Sequence, residues 1–127
     1  MGVTAIKSIV NGVNAAISIN NHENSRASAS VLPHEPVRGC DIWIPWCTSE
    51  EDFRCQHYLE IEVRPPSGIN GHWWIWQGKS SDGDFVRIST QGRFAPAQSP
   101  IAGYSRVVGN KDVRLLVSSA GLRLETI

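Results

Sequence analysis

Apolar and polar positions alternate with a period of two through most of the chain, the pattern of strands with one buried and one wet face. In AISIN (16–20) Ile17 and Ile19 alternate with Ser18, and in YLEIEV Leu59, Ile61 and Val63 alternate with Glu60 and Glu62. In DVRLLVSS the inward set is Val113, Leu115 and Val117; in GLRLETI it is Leu122 and Leu124, with Arg123 and Glu125 outward. Turn-forming runs separate these segments: Asn11-Gly12, NNHENS (20–25), RPPSGINGH (64–72), SSDGD (80–84), APAQSP (95–100), GNKD (109–112) and Ala120-Gly121. No stretch of twelve or more residues carries a helical period, so crossover helices and a parallel α/β sheet are excluded. One short helix is expected at CTSEEDFRCQH, with Thr48 as cap, Glu51 three positions on, and an acidic first turn. The predicted fold is all-β: a single-domain antiparallel β-sandwich over residues 1–127, of about eight strands, with one short helix near residues 49–57.

Two strands carry most of the indoles. In GHWWIWQG (71–78), strand geometry groups Trp73, Ile75 and Gln77 on one face and His72, Trp74 and Trp76 on the other. Ile75 beside Trp73 makes a core pair, which leaves Trp74 and Trp76 on the non-core side. In CDIWIPWC (40–47) the same alternation turns Cys40, Ile42 and Ile44 inward and Asp41 and Trp43 outward. Pro45 lacks a ladder donor and ends that strand or puts it at an edge. If the two strands were neighbours, Trp43, Trp74 and Trp76 would form one aromatic patch with Asp41 and His72 at its margin.

Composition narrows the classes of function. The chain is 41% hydrophobic and 19% charged, with 12 basic and 12 acidic residues, an ordinary globular balance. Without a basic cluster it has no electrostatic footprint for nucleic acid. The segment MGVTAIKSIVNGV has one lysine and no apolar run of signal-peptide length, and the odd number of cysteines (Cys40, Cys47 and Cys55) fits a reducing compartment. Cytoplasmic residence is therefore expected.

Indole faces stack on the C–H faces of sugar rings, while sugar hydroxyls need carboxylate, amide and imidazole partners. Trp43, Trp74 and Trp76 supply the first, and Asp41, His72, His22, Glu23 and Asn24 the second. A non-enzymatic, lectin-like carbohydrate-binding module is the leading expectation, with a glycan or other small molecule as ligand. The competing structural reading packs these indoles under loops or against the helix, and treats NNHEN as a hydrogen-bonded turn.

Two other classes compete: a small β-fold enzyme with a tryptophan-lined pocket for an apolar substrate, and a membrane-surface or lysin-like protein whose indoles enter the headgroup zone. No nucleophile elbow, phosphate loop or HExxH helix anchors a reaction class, so no catalytic residue is assigned. A Cys40, Cys47, Cys55 and His57 set lacks the close ligand pairs of structural zinc, and SSDGD lacks the span of a calcium loop; no metal or cofactor is expected. The outward charges Glu60, Glu62, Arg87, Arg114, Arg123 and Glu125 read as a solvated cross-strand ladder. An exposed aromatic patch would also suit a homo-oligomer contact.

Overall fold

The computed structural model describes residues 4–22, 28–64, 71–78, 85–90, 100–103, 111–118 and 120–126. Among these residues there are ten strands and one helix: β1 (Thr4–Asn11), β2 (Ala16–Asn21), β3 (Ala29–Val31), β4 (Pro36–Trp43), α1 (Glu50–Arg54), β5 (Leu59–Arg64), β6 (His72–Gly78), β7 (Phe85–Ser89), β8 (Ala102–Gly103), β9 (Lys111–Ser118) and β10 (Gly121–Thr126). They build two five-stranded sheets, β4-β1-β9-β10-β8 and β3-β2-β5-β6-β7, in an all-β, sandwich-like arrangement. Eight of the strands have five residues or more; β3 and β8 have three and two, too short to display an alternation in sequence. The turns expected at 64–72, 80–84, 95–100 and 109–112 fall largely outside the described residues.

The alternation places side chains as expected. Ile17 and Ile19 of β2, Leu59, Ile61 and Val63 of β5, Trp73 and Ile75 of β6, Val113, Leu115 and Val117 of β9, and Leu122 and Leu124 of β10 all enter one buried cluster between the sheets. Each such side chain contributes roughly 1.5–3 kcal/mol by leaving water. The hairpin β9–β10 turns through Ala120-Gly121, where Gly121 has φ +119°, a conformation closed to residues with a Cβ.

Two features depart from a simple antiparallel sandwich. Strand β1 pairs antiparallel with β4 but parallel with β9, and β8 pairs parallel with β10. β1 and β9 come from opposite ends of the chain, so no tight turn forces them antiparallel. The β1 register also shifts between Ile6 and Ser8 against both neighbours. Against β9 the extra residue is Lys7 of β1, which lets Ile6 and Ile9 both face the core although they stand three apart; against β4 the extra residues lie on β4, between Arg38 and Ile42.

Two polar side chains tie the sheets together. Asn11 is buried at the end of β1; its Nδ2 donates to the carbonyls of Ala15, Val31 and Leu32, and its Oδ1 accepts from the Val13 N–H. Gln77 is fully buried in β6, and its Nε2 donates to the Ile44 carbonyl. After β4, Pro45 takes the chain from the first sheet to the second. There the Gln77 N–H donates to the Pro45 carbonyl at 2.7 Å and the Cys47 N–H to the Gln77 carbonyl at 3.0 Å. Residues 45–47 thus flank the part of β6 that lies beyond its pairing with β5, whose register with β6 stops at Leu59–Ile75.

Helix α1 follows this crossing. Its cap is Ser49 and not Thr48: Ser49 Oγ accepts from the Asp52 N–H at 3.1 Å, while Asp52 Oδ2 accepts from the Thr48 N–H and hydroxyl at 3.0 and 3.1 Å. The C-terminus closes with Gln56 at φ 64°, the Gln56 N–H donating to the Phe53 carbonyl and the His57 N–H to the Asp52 carbonyl. The helix has five residues, shorter than the 49–57 span expected, and its one buried side chain is Phe53. Among the described residues no helix is long and apolar enough to cross a membrane.

Candidate functional site

The outward face of the second sheet carries the candidate site, and its layout follows from strand register. On β5 the outward residues are Glu60 and Glu62. Glu60 stands opposite Asn20 of β2 and Trp74 of β6, and Glu62 opposite Ser18 and His72. Directly paired side chains on one sheet face lie about 5 Å apart at Cβ, so an amide, two carboxylates, an imidazole and an indole share a small area.

Glu60 is the centre of this area. Its Oε1 lies 2.7 Å from His22 Nε2 and its Oε2 2.5 Å from His72 Nε2. A carboxylate only accepts, so each Nε2 carries the proton in these bonds. His22 is brought within reach at the end of β2, where its N–H donates to the Tyr58 carbonyl at 3.2 Å and its ring tilts against the Tyr58 ring with centroids 5.0 Å apart. His72 also approaches Glu62 Oε1, at 3.4 Å, and stacks on Trp74 with ring centroids 4.0 Å apart.

Electrostatics favour an ionised Glu60. Burial opposes its charge, but the hydrogen bonds from His72 and His22, reinforced by their charge, outweigh that and hold the carboxyl below the usual glutamate range. Burial, and then the negative charge of Glu60, push the Tyr58 hydroxyl up.

The indoles part company. Trp73 is in the core, as expected. Trp76 is on the non-core side, as expected, but it is not a surface residue: it is 1% exposed, packed with Cys47 and Phe53 and flanked by Tyr58 and Trp74. The Phe53 ring meets it edge-on with centroids 5.3 Å apart. Segment 45–58 folds over this end of β6 and buries the face that alternation alone leaves open. Trp74, one turn of the pleat away, is half-buried.

Trp43 is 58% exposed, but β4 belongs to the first sheet, so the three-indole patch does not form by strand pairing. Asp41 accompanies Trp43 there and accepts from Lys7 Nζ at 2.7 Å. That hydrogen bond is the main cause raising the Lys7 pKa. The Trp43 carbonyl does accept from Asn21 Nδ2 at 3.0 Å, which joins the end of β4 to the end of β2.

The structure therefore brings together His22, His72 and Trp74, sets Trp43 and Asp41 on the other sheet, and buries Trp76. Glu23 and Asn24 lie outside the described residues. Glu60 is a correction: it is no solvated ladder charge, since its side chain is 19% exposed and held by two imidazoles. Glu62, 27% exposed, lies beside it. The ladder reading does describe Arg114 and Glu125, which pair across β9 and β10 at 3.7 Å. Glutamates at i and i+2 facing a histidine-bearing strand were visible in the sequence, but their meeting with His22 depends on strand order.

The cysteines stay apart as a ligand set. Cys40 donates to the Ile6 carbonyl, Cys47 is in the Trp76 cluster, Cys55 is exposed, and all three are free. Among the described residues, the one group of histidine, cysteine and acidic side chains close enough to share a metal ion is Glu60, Glu62 and His72, with ligand atoms within 4.8 Å of one another.

No family model, curated protein or solved structure matches the chain.

Proposed function

We propose that the outer face of the second sheet is a non-enzymatic binding surface for a glycan, with Trp74 supplying apolar contact and Glu60, Glu62, His72, His22 and Asn20 supplying hydroxyl partners. The supporting observation is the row Asn20–Glu60–Trp74, which sets an amide, a carboxylate and an indole directly opposite one another on three adjacent strands. Sugar binding needs that combination: a flat apolar wall and fixed polar groups close to it. The polar groups are oriented in advance, because Glu60 is hydrogen-bonded through both oxygens.

Against the opposing effect of burial, the hydrogen bonds from His72 and His22 hold the Glu60 carboxyl below the usual glutamate range, which favours the acceptor form that sugar hydroxyls need. Cytoplasmic residence is part of the proposal, supported by three cysteines that are all free.

Intrinsic-fluorescence titration against a glycan panel tests it. A saturable emission change that is lost in both Glu60→Gln and Trp74→Ala is expected. Absence of any glycan-dependent change, or a response unaltered in both variants, overturns the reading.

A further inference from the structure

We infer that Glu60, Glu62 and His72 form a binding site for a single divalent transition-metal cation of the zinc class, with one coordination position left for water or an exogenous oxygen ligand. The inference goes beyond the glycan reading and does not depend on it.

The donor set is one imidazole nitrogen and two carboxylates, the ligand chemistry that borderline cations take in open, three-ligand sites. Its atoms come from two adjacent strands. Glu60 and Glu62 are two apart on β5 and so share a face, and His72 stands opposite Glu62 on β6. His72 Nε2 is 3.4 Å from Glu62 Oε1. That is already the edge of a tetrahedron with ligand bonds of about 2.0–2.2 Å. Its 2.5 Å approach to Glu60 Oε2 is a proton-filled contact that opens by about 1 Å when a cation replaces the proton.

Charge and support agree with this. Two carboxylates balance a divalent cation. The His72 ring is held by its stack on Trp74, and Glu60 Oε1 is held by His22 Nε2 at 2.7 Å. His22 is thereby a positioning residue: it orients a carboxylate ligand as outer-shell partners commonly do. The face is half-buried, not a solvated acidic patch, with Glu60 19% and Glu62 27% exposed.

The test is zinc titration of the whole chain, without sugar, against a chromogenic chelator. Wild type is compared with His72→Gln, Glu62→Gln and His22→Gln, and folding of each is checked by far-UV circular dichroism. About one zinc per chain is expected at micromolar affinity or tighter, weakened at least tenfold by His72→Gln or Glu62→Gln and roughly tenfold by His22→Gln. A Cys55→Ser variant, which alters an exposed thiol away from the set, retains binding.

X-ray absorption of zinc-loaded wild type gives a reading that no variant's stability can confuse: a first shell of nitrogen and oxygen only. Sulfur in that shell, equal zinc affinity in wild type and His72→Gln, or no binding in the micromolar range overturns the site. Glycan titration in the presence of a chelator reads the glycan surface without metal, so a failed zinc titration beside an intact glycan response sinks only this proposal.

Discussion

The imidazole of His72 lies nearly flat on the indole of Trp74, with ring centroids 4.0 Å apart and planes 25° from parallel. One face of the indole is thereby covered by a side chain that also donates to Glu60. His72→Ala removes the cover and is expected to raise acrylamide quenching of the tryptophan emission and shift it to the red. The same change in a Trp74→Phe background produces no rise, because Trp73 and Trp76 stay buried and Trp43, on the other sheet, is exposed with or without His72. Equal quenching in His72→Ala and wild type would show that the stack does not shield the indole.

Trp74 and Trp76 are two residues apart on β6 and on the same face, yet they differ in what they touch. Trp76→Ala removes the largest side chain of the cluster with Phe53 and Cys47 and is expected to destabilise the fold by about 3–5 kcal/mol. Trp74→Ala, at a half-buried position, is expected to lower stability by about 1–2 kcal/mol. Equilibrium urea unfolding of both variants measures the difference. Similar losses would mean that segment 45–58 does not seal the end of β6.

This contrast marks how far the sequence could be read. Period-two alternation sorts Trp73 from Trp74 and Ile61 from Glu60 because side-chain direction on a strand is a local property. Whether an outward side chain then meets water is a tertiary property. Trp76 is covered because Pro45 redirects the chain onto the second sheet and delivers Phe53, an arrangement that local pattern does not specify. Glu60 looks like any outward strand glutamate until β2 and β6 flank β5 and bring a histidine from each side. The bulge at Lys7 hides β1 from a strict alternation for a related reason: its inward residues Ile6 and Ile9 fit no period of two.

Thiol chemistry should separate the three cysteines. Burial, with the nearby charge of Asp52, pushes the Cys47 thiol up to about 12, and burial also raises that of Cys40, while Cys55 is exposed on the turn after α1. Thiolate is the reactive form, so native alkylation at mildly alkaline pH is expected to label Cys55 first, Cys40 next and Cys47 last. Mass spectrometry of a time course reads the order. Early labelling of Cys47 would indicate that the Trp76 cluster opens readily.

The pH dependence of stability should carry a signature of the helix start. The Thr48 N–H, and then its hydroxyl, donate to the Asp52 carboxylate and hold its pKa below the ordinary value of 3.8. A carboxylate depressed in the folded state favours folding above its unfolded pKa, and that contribution disappears as pH falls through the folded value. Asp52→Asn keeps the shape and removes the charge, so wild type should be the more stable at neutral pH by a small margin, as befits an exposed group. That margin should hold down to about pH 5 and close below about pH 4, as the carboxylate protonates first in the unfolded chain and then in the folded one. Thermal unfolding of both proteins from pH 7 to pH 3 measures the gap. A difference that stays constant across that range would assign the effect of the substitution to altered hydrogen-bond geometry at Thr48 and not to the charge of Asp52.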